Sequence, residues 1–286
     1  MKKTRTEKII TWIAFVVFML YAITLVYPFI WMAINSLKDN AAFYQDCWGL
    51  PQAGEWKWSN YVEVLSIRIK GGFYLHEVLI NSLVYTFVSA SLAVISPLCA
   101  AYPCSKYKFK LRGLCMFIII LQISVPSVGS VAATYKILKT FNLYDNWYWG
   151  MFISGAGGLT GNFLLIKAAL DNTSWTYAEA AFMDGASDVR VMIQIIIPMI
   201  KPILIILLIM GLIGGWNEFT GIWMFAPSYP TIAVGTKQLL DDIGSADGSY
   251  PKVFALMLIS LVPVMVLFIS FQDTIMNNFT LGGLKG

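Results

Sequence analysis

Residues 172–198 read Asn172-Thr173-Ser174-Trp175-Thr176-Tyr177-Ala178-Glu179-Ala180-Ala181-Phe182-Met183-Asp184-Gly185-Ala186-Ser187-Asp188-Val189-Arg190-Val191-Met192-Ile193-Gln194-Ile195-Ile196-Ile197-Pro198, a pattern of helix, turn and helix. Asn172 to Ser174 offer N-caps, and Thr176 with Glu179 has the spacing of a capping box. Gly185 suits the left-handed position that ends a helix. Ser187 caps a second helix, which is expected to break at Pro198. Ala180, Ala181 and Ala186 leave a low surface around the turn. A short elbow with so few bulky groups has the shape to enter a groove on another protein.

Outward from the elbow, the sequence consists of long runs without Asp, Glu, Lys or Arg. Five are uninterrupted: Ile9–Leu37, Val78–Ser105, Gly113–Tyr135, Asn146–Ile166 and Val253–Gln272. A sixth, Pro202–Thr236, contains only Glu218. A helix needs about 20 residues to cross the hydrocarbon of a bilayer. The runs therefore predict an all-α, polytopic membrane protein with six transmembrane helices. Composition agrees, since 58% of the 286 residues are hydrophobic and 13% charged, whereas soluble domains carry about 25% charged residues. The first run is too long for a secretory signal and is followed by no small-residue cleavage site, so it reads as a retained anchor.

The basic clusters Lys2/Lys3/Arg5/Lys8 and Lys106/Lys108/Lys110/Arg112 fall on one side of the expected membrane. The positive-inside rule makes that side cytoplasmic, and an even number of crossings brings both termini there. A net charge of +4, sorted by side in this way, gives no reason to expect nucleic acid. Four cysteines without a CxxC pair and a single histidine argue against a zinc or haem site and against a disulfide scaffold. Pro28, Pro97, Pro126 and Pro263 fall within runs, where each removes a backbone donor that a neighbour must replace. The pairs Gly157/Gly161 and Gly211/Gly215 have GxxxG spacing, which permits close helix approach and reads as tight packing or as a hinge.

The elbow resembles the EAA loop of ABC importer permeases, whose pattern is Glu-Ala-Ala, three residues, Gly, nine residues, Ile, one residue, Leu, Pro. Glu179-Ala180-Ala181, Gly185, Ile195 and Pro198 stand at that spacing, with Ile197 in place of the Leu. Asp184-Gly185-Ala186-Ser187 is similar to a variant of the carbohydrate-uptake group. Trp216-Asn217-Glu218-Phe219, Asn81-Ser82-Leu83 and the tail Leu281-Gly282-Gly283-Leu284-Lys285-Gly286 resemble the smaller, G-type subunit of maltose-permease-like importers. The tail departs from that subunit's pattern at Gly283-Leu284.

The resemblance implies a type I ABC importer permease fold in the bacterial cytoplasmic membrane. It implies an assembly with a second permease as heterodimer, two ATPase subunits docking on the loop, and an extracytoplasmic solute-binding protein. No GxxxxGK[ST] phosphate loop occurs in the sequence, so ATP and Mg are expected on the ATPase, with no cofactor and no catalysis on this chain. The expected layout is an anchor helix and first outer segment at 1–76, a permease domain at 77–275 with the coupling loop at 171–198, and a cytoplasmic tail at 276–286. The resemblance assigns coupling to Glu179, Ala180, Ala181, Asp184, Gly185, Ala186, Ile195 and Pro198, and the path of a di- or oligosaccharide to Trp216, Asn217 and Glu218.

From the residues alone, Glu218 reads either as a pathway group or as an interfacial carboxylate. Trp48, Trp56, Trp58 and Tyr61 read either as docking anchors or as an aromatic belt. An ion-coupled secondary transporter is the alternative class, but it would need more embedded carboxylates or paired broken helices. An intramembrane enzyme would need a nucleophile and base that no stretch supplies.

Overall fold

The computed structural model describes residues 5–52, 54–125, 129–147, 161–244 and 248–281. In chain order its helices are α1 (Arg5–Ser36), α2 (Asn40–Gln45), α3 (Asn60–Leu65), α4 (Leu75–Lys106), α5 (Arg112–Ser124), α6 (Ser130–Thr140), α7 (Gly161–Asp171), α8 (Thr176–Met183), α9 (Asp188–Val191), α10 (Ile197–Trp216), α11 (Thr220–Phe225), α12 (Ile232–Asp241) and α13 (Tyr250–Leu281). A π-helical turn, Met192–Ile196, joins α9 to α10. The described residues are helices and connecting loops, with no strand among them.

Four helical stretches among the described residues are long and apolar enough to cross a bilayer: α1, α4, Asp188–Trp216, and the part of α13 up to Asp273. Of the remaining two charge-free runs, one is divided and the other lies largely outside the described residues. Gly113–Tyr135 is divided between α5 and α6, with Gly129 before α6 at φ 79°. The 13 residues of α5 reach only about 20 Å, short of the roughly 30 Å of hydrocarbon. Pro126 lies outside the described residues. So do 148–160 of the run Asn146–Ile166, with Gly155, Gly157 and Gly158; its described end is α7, which runs on to Asp171.

The run Pro202–Thr236 is displaced. Its helix starts at the elbow, passes through Lys201 and ends at Trp216, because one exposed lysine with an apolar stem does not interrupt a helix. Pro198 does not break it either. The Ile197 N–H donates to the Met192 carbonyl five residues back, and this widened turn gives room to a proline that has no N–H and crowds the carbonyl of the preceding turn. At the C-terminus α13 continues to Leu281, so residues 276–281, expected as tail, are helical; 282–286 lie outside the described residues.

The chain forms two compact units, residues 1–69 with 236–262 and residues 70–235 with 263–286. In the first, α1 exposes apolar side chains around its circumference from Ile9 to Ile30. Its last residues are tied to the segment that follows. Asn35 Nδ2 donates to the Trp31 and Cys47 carbonyls (2.9 and 3.0 Å), and Asn60 Nδ2 to those of Ser36 and Lys38 (2.8 and 2.9 Å). The buried Lys38 Nζ donates to the Asp46 carbonyl at 2.6 Å. Phe43 meets Trp31, Tyr250 and Phe254 with ring centroids 5.1–6.2 Å apart. Trp48 and Trp58 stay exposed.

The second unit is built on α4. Its buried face, Val94, Leu98, Ala101 and Tyr102, packs with Phe163, Ile166 and Leu170 of α7 and Ile200 and Leu207 of α10. Pro97 leaves the Ala93 carbonyl without its helical donor, and Asn162 Nδ2 of α7 supplies one at 2.8 Å. In apolar surroundings that replacement is obligatory. Against α10 the approach is closer still: a Cβ on Gly211 would stand 3.2 Å from Ala90 Cα, and one on Gly215 would stand 3.0 Å from Ser89 Oγ. At the other end, Ser82 Oγ accepts the Ile232 N–H at 2.5 Å, beside the cluster of Tyr85, Ile222 and Val234. We expect Gly215→Val to destabilise the unit by about 1–3 kcal/mol through overpacking. Gly214→Ala, whose Cβ would meet nothing within 4 Å, should leave the unfolding midpoint in detergent unchanged or slightly raised.

Candidate functional site: the elbow and the turn after α10

The elbow is closed by backbone geometry. Gly185 adopts φ 80°; its N–H donates to the Phe182 carbonyl and that of Ala186 to the Ala181 carbonyl, each at 3.0 Å. These two bonds make a Schellman ending for α8, with glycine at the position where a Cβ is strained. Ser187 then holds an extended conformation (ψ 157°) at the N-cap of α9, without a side-chain capping bond. The start of α8 differs from the expected capping box. Trp175 takes the N-cap position, and the Thr176 N–H reaches Ser174 Oγ at 3.4 Å. Thr176 is already helical, so its hydroxyl stands too far along the chain to cap with Glu179.

The residues expected to couple divide between two faces. Ala178, fully buried, and the half-buried Trp175, Ala181, Phe182, Ala186 and Ile195 join the core with Val191 and Ile196. Glu179, Ala180, Asp184, Gly185 and Pro198 are exposed. Beside them lie Tyr177 and Met183, the latter 89% exposed. Tyr177, Ala180 and Met183 recur at helical spacing. The outer face is thus a mostly apolar strip that also carries the Glu179 and Asp184 carboxylates.

Three consecutive residues at the end of α4 hold the elbow from behind, and no motif in the sequence marks them. Ser105 Oγ donates to Asp171 Oδ1 at 2.6 Å, and Lys106 Nζ to the Thr173 carbonyl at 2.8 Å. The Lys106 ammonium also stands 5.6 Å from the Trp175 ring centroid. Tyr107 hydroxyl donates to Asp188 Oδ1, its ring 6.1 Å from Trp175 and 5.7 Å from Tyr102. Burial first, then the bond to Asp188, pushes the Tyr107 phenol above its ordinary value, which keeps it a donor at physiological pH. In the sequence, Lys106 reads only as part of a basic cluster.

Trp216, Asn217 and Glu218 do not form one surface. Trp216 is 5% exposed, buried in its own unit. Asn217 is exposed and folds its Nδ2 back onto the Ile213 carbonyl at 2.8 Å. Glu218 stands just past the end of α10, where its Oε1 accepts the Gly221 N–H at 2.6 Å and so caps α11. It also lines a cavity of about 150 Å³ with Ser89, Ala90, Ala93, Gly211, Gly214 and Gly215.

The family described as "Binding-protein-dependent transport system inner membrane component" matches residues 93–277, which include α7, the elbow and α10. The chain belongs to this family. This permease is 27% identical over 270 residues to the probable ABC transporter permease protein YurM of Bacillus subtilis, covering 93% of this chain and 86% of that protein. It is 26% identical over 273 residues to the maltodextrin transport system permease protein MdxG of the same organism, covering 93% of each. Its fold is similar to a chain of a bacterial ABC transporter involved in the import of the acidic polysaccharide alginate, at TM-score 0.77 and 22% identity, with 96% of this chain and 99% of that one covered.

Within this permease, nothing lies within 4 Å of a Cβ placed on Gly185, so substitutions there test backbone geometry alone. Gly185→Ala is expected to destabilise by about 1 kcal/mol and Gly185→Asn by less, since asparagine tolerates the left-handed region. Thermal unfolding in detergent measures the order; equal midpoints would contradict it.

Proposed function

We propose that this permease forms half of the translocation pathway of an ABC importer for a carbohydrate, a di- or oligosaccharide, and is driven by ATP hydrolysis on separate chains. The observation that carries the reading is the elbow: a turn whose outer face offers Met183 and Ala180 between Glu179 and Asp184, with Tyr177 beside them. Such a strip fits a hydrophobic groove with a basic rim, which the ATPase would supply. Displacement of the groove then moves α7 and α10, the elbow's covalent neighbours. Gly185 keeps the two arms at a fixed angle.

In the full assembly two ATPase subunits, binding ATP and Mg, dock on loop 171–198. A second permease pairs with this one as heterodimer, and a solute-binding protein delivers sugar to the outer segments, where Trp48 and Trp58 offer exposed rings. The chain crosses a bacterial inner membrane six times with both termini cytoplasmic. The permease domain is 77–275, preceded by the anchor and outer segment 1–76 and followed by the tail 276–286. The maltodextrin relative and the exposed amide of Asn217 beside the Glu218 carboxylate support a hydroxyl-rich solute. With Trp216 buried, Asn217 and Glu218 are the members of that motif offered to the path.

Reconstitution in proteoliposomes with the ATPase chains, second permease and binding protein tests the reading. Uptake should require ATP, and uptake driven by an ion gradient without the ATPase chains would overturn it. Met183→Glu, on a side chain that packs against almost nothing, should leave membrane insertion intact while ATP-dependent uptake falls about tenfold, as for a central contact of an interface. Glu218→Gln keeps the oxygen that caps α11 and removes the charge. If the carboxylate contacts sugar, uptake at limiting sugar should fall by several-fold, with the unfolding midpoint unchanged.

A further inference from the structure

α7 and α10 are joined to the elbow by the chain itself, whereas α4 reaches it only through side chains. Those side chains straddle the bend. Lys106 holds Thr173 and Trp175 on the arm before Gly185, and Tyr107 holds Asp188 on the arm after it. The two arms already pack on one another through Ala178, Phe182, Val191 and Ile196, and bonds to both of them tie the end of α4 to the elbow as a whole. We propose that Lys106 and Tyr107 are positioning residues that lock α4 to the elbow, so that α4 travels with it and carries its displacement to the Glu218 end of the permease.

α4 is built to transmit such a movement. It is 32 residues long, about 48 Å at 1.5 Å per residue. It contains two prolines, Pro97 and Pro103; the first, in mid-helix, is braced by Asn162 of α7, and the second lies in the last turn beside the clamp. Thr86, Ser89 and Ala90 lie directly against Gly211 and Gly215, and Ser89 and Ala90 share the small cavity with Glu218. Ser82 holds the Ile232 backbone beyond it. The Tyr107 phenol, with its raised pKa, keeps its proton for Asp188. The clamp is therefore a hydrogen bond from a neutral donor to a carboxylate, which is stronger than a neutral pair and directional.

The inference rests on the elbow being the site that the ATPase moves. Its test is the ratio of sugar taken up to ATP hydrolysed by the complete transporter in proteoliposomes, compared between wild type, Tyr107→Phe, Asp188→Asn and the double variant. Phenylalanine keeps the ring contacts with Tyr102 and Trp175 and removes one hydrogen bond. We expect the ratio to fall by up to about tenfold in either single variant, the range open to one charge-assisted bond, and no further in the double variant. A purely structural role would lower the unfolding midpoint and reduce uptake and hydrolysis together, leaving the ratio at its wild-type value; that result, or additive losses in the double variant, overturns the proposal. Asp188→Asn keeps the size of its side chain and serves if Tyr107→Phe does not fold. Wild-type uptake without ATP would instead remove the underlying reading, so the two failures are distinguishable.

Discussion

α10 lies so close to α4 that a Cβ at Gly211 or Gly215 would have to push its neighbour aside by a few tenths of an ångström. With no Cβ at Gly211 and Gly215, the α10 backbone rests on Ala90, Ser89 and Thr86, and dispersion accumulates along a seam of small residues. In a membrane this matters more than in water, because lipid is as apolar as leucine and burial alone gives helices little reason to associate. Other joints of the unit stand beside that seam. Asn162 completes the backbone of α4 where Pro97 interrupts it, and the elbow is hung between α7 and α10 with α4 behind it.

The elbow uses small residues in two ways. On the inner side Ala178 disappears into the core with Phe182 and Trp175, so α8 sits tightly over the ends of α4 and α7. On the outer side Ala180 keeps the surface low between Tyr177 and Met183. One short helix thus serves as a packed support and as a docking face, and a single left-handed residue, Gly185, joins it to the long helix that follows. The π-helical turn at Met192–Ile196 lets that helix pass through Pro198 without a break, so the elbow and α10 are continuous.

Much of this was legible in the sequence. The charge-free runs marked α1, α4 and α13, because hydrocarbon excludes charge and forces the backbone to satisfy itself within a helix. Gly185 was legible because few other residues hold φ near 80° without strain. Less was legible where an unbroken apolar run conceals a change of structure. The division of Gly113–Tyr135 around Gly129 left no charge to mark it, and Lys201 made α10 look as if it began later than it does. Trp216, Asn217 and Glu218 looked like one site, yet one is buried, one is bonded to its own helix and one caps α11.

By itself the sequence determined the membrane character, the long helices and the bend of the elbow, since each follows from local chemistry: apolar length, capping and the sterics of one glycine. The tertiary structure alone decided which residues of the elbow face outward and what holds it from behind. The bonds from Ser105, Lys106 and Tyr107 join residues 66, 67 and 81 positions apart. No periodicity reports contacts at such separations, because they exist only once α7 and α10 have packed on α4 and brought the two arms of the elbow to its end.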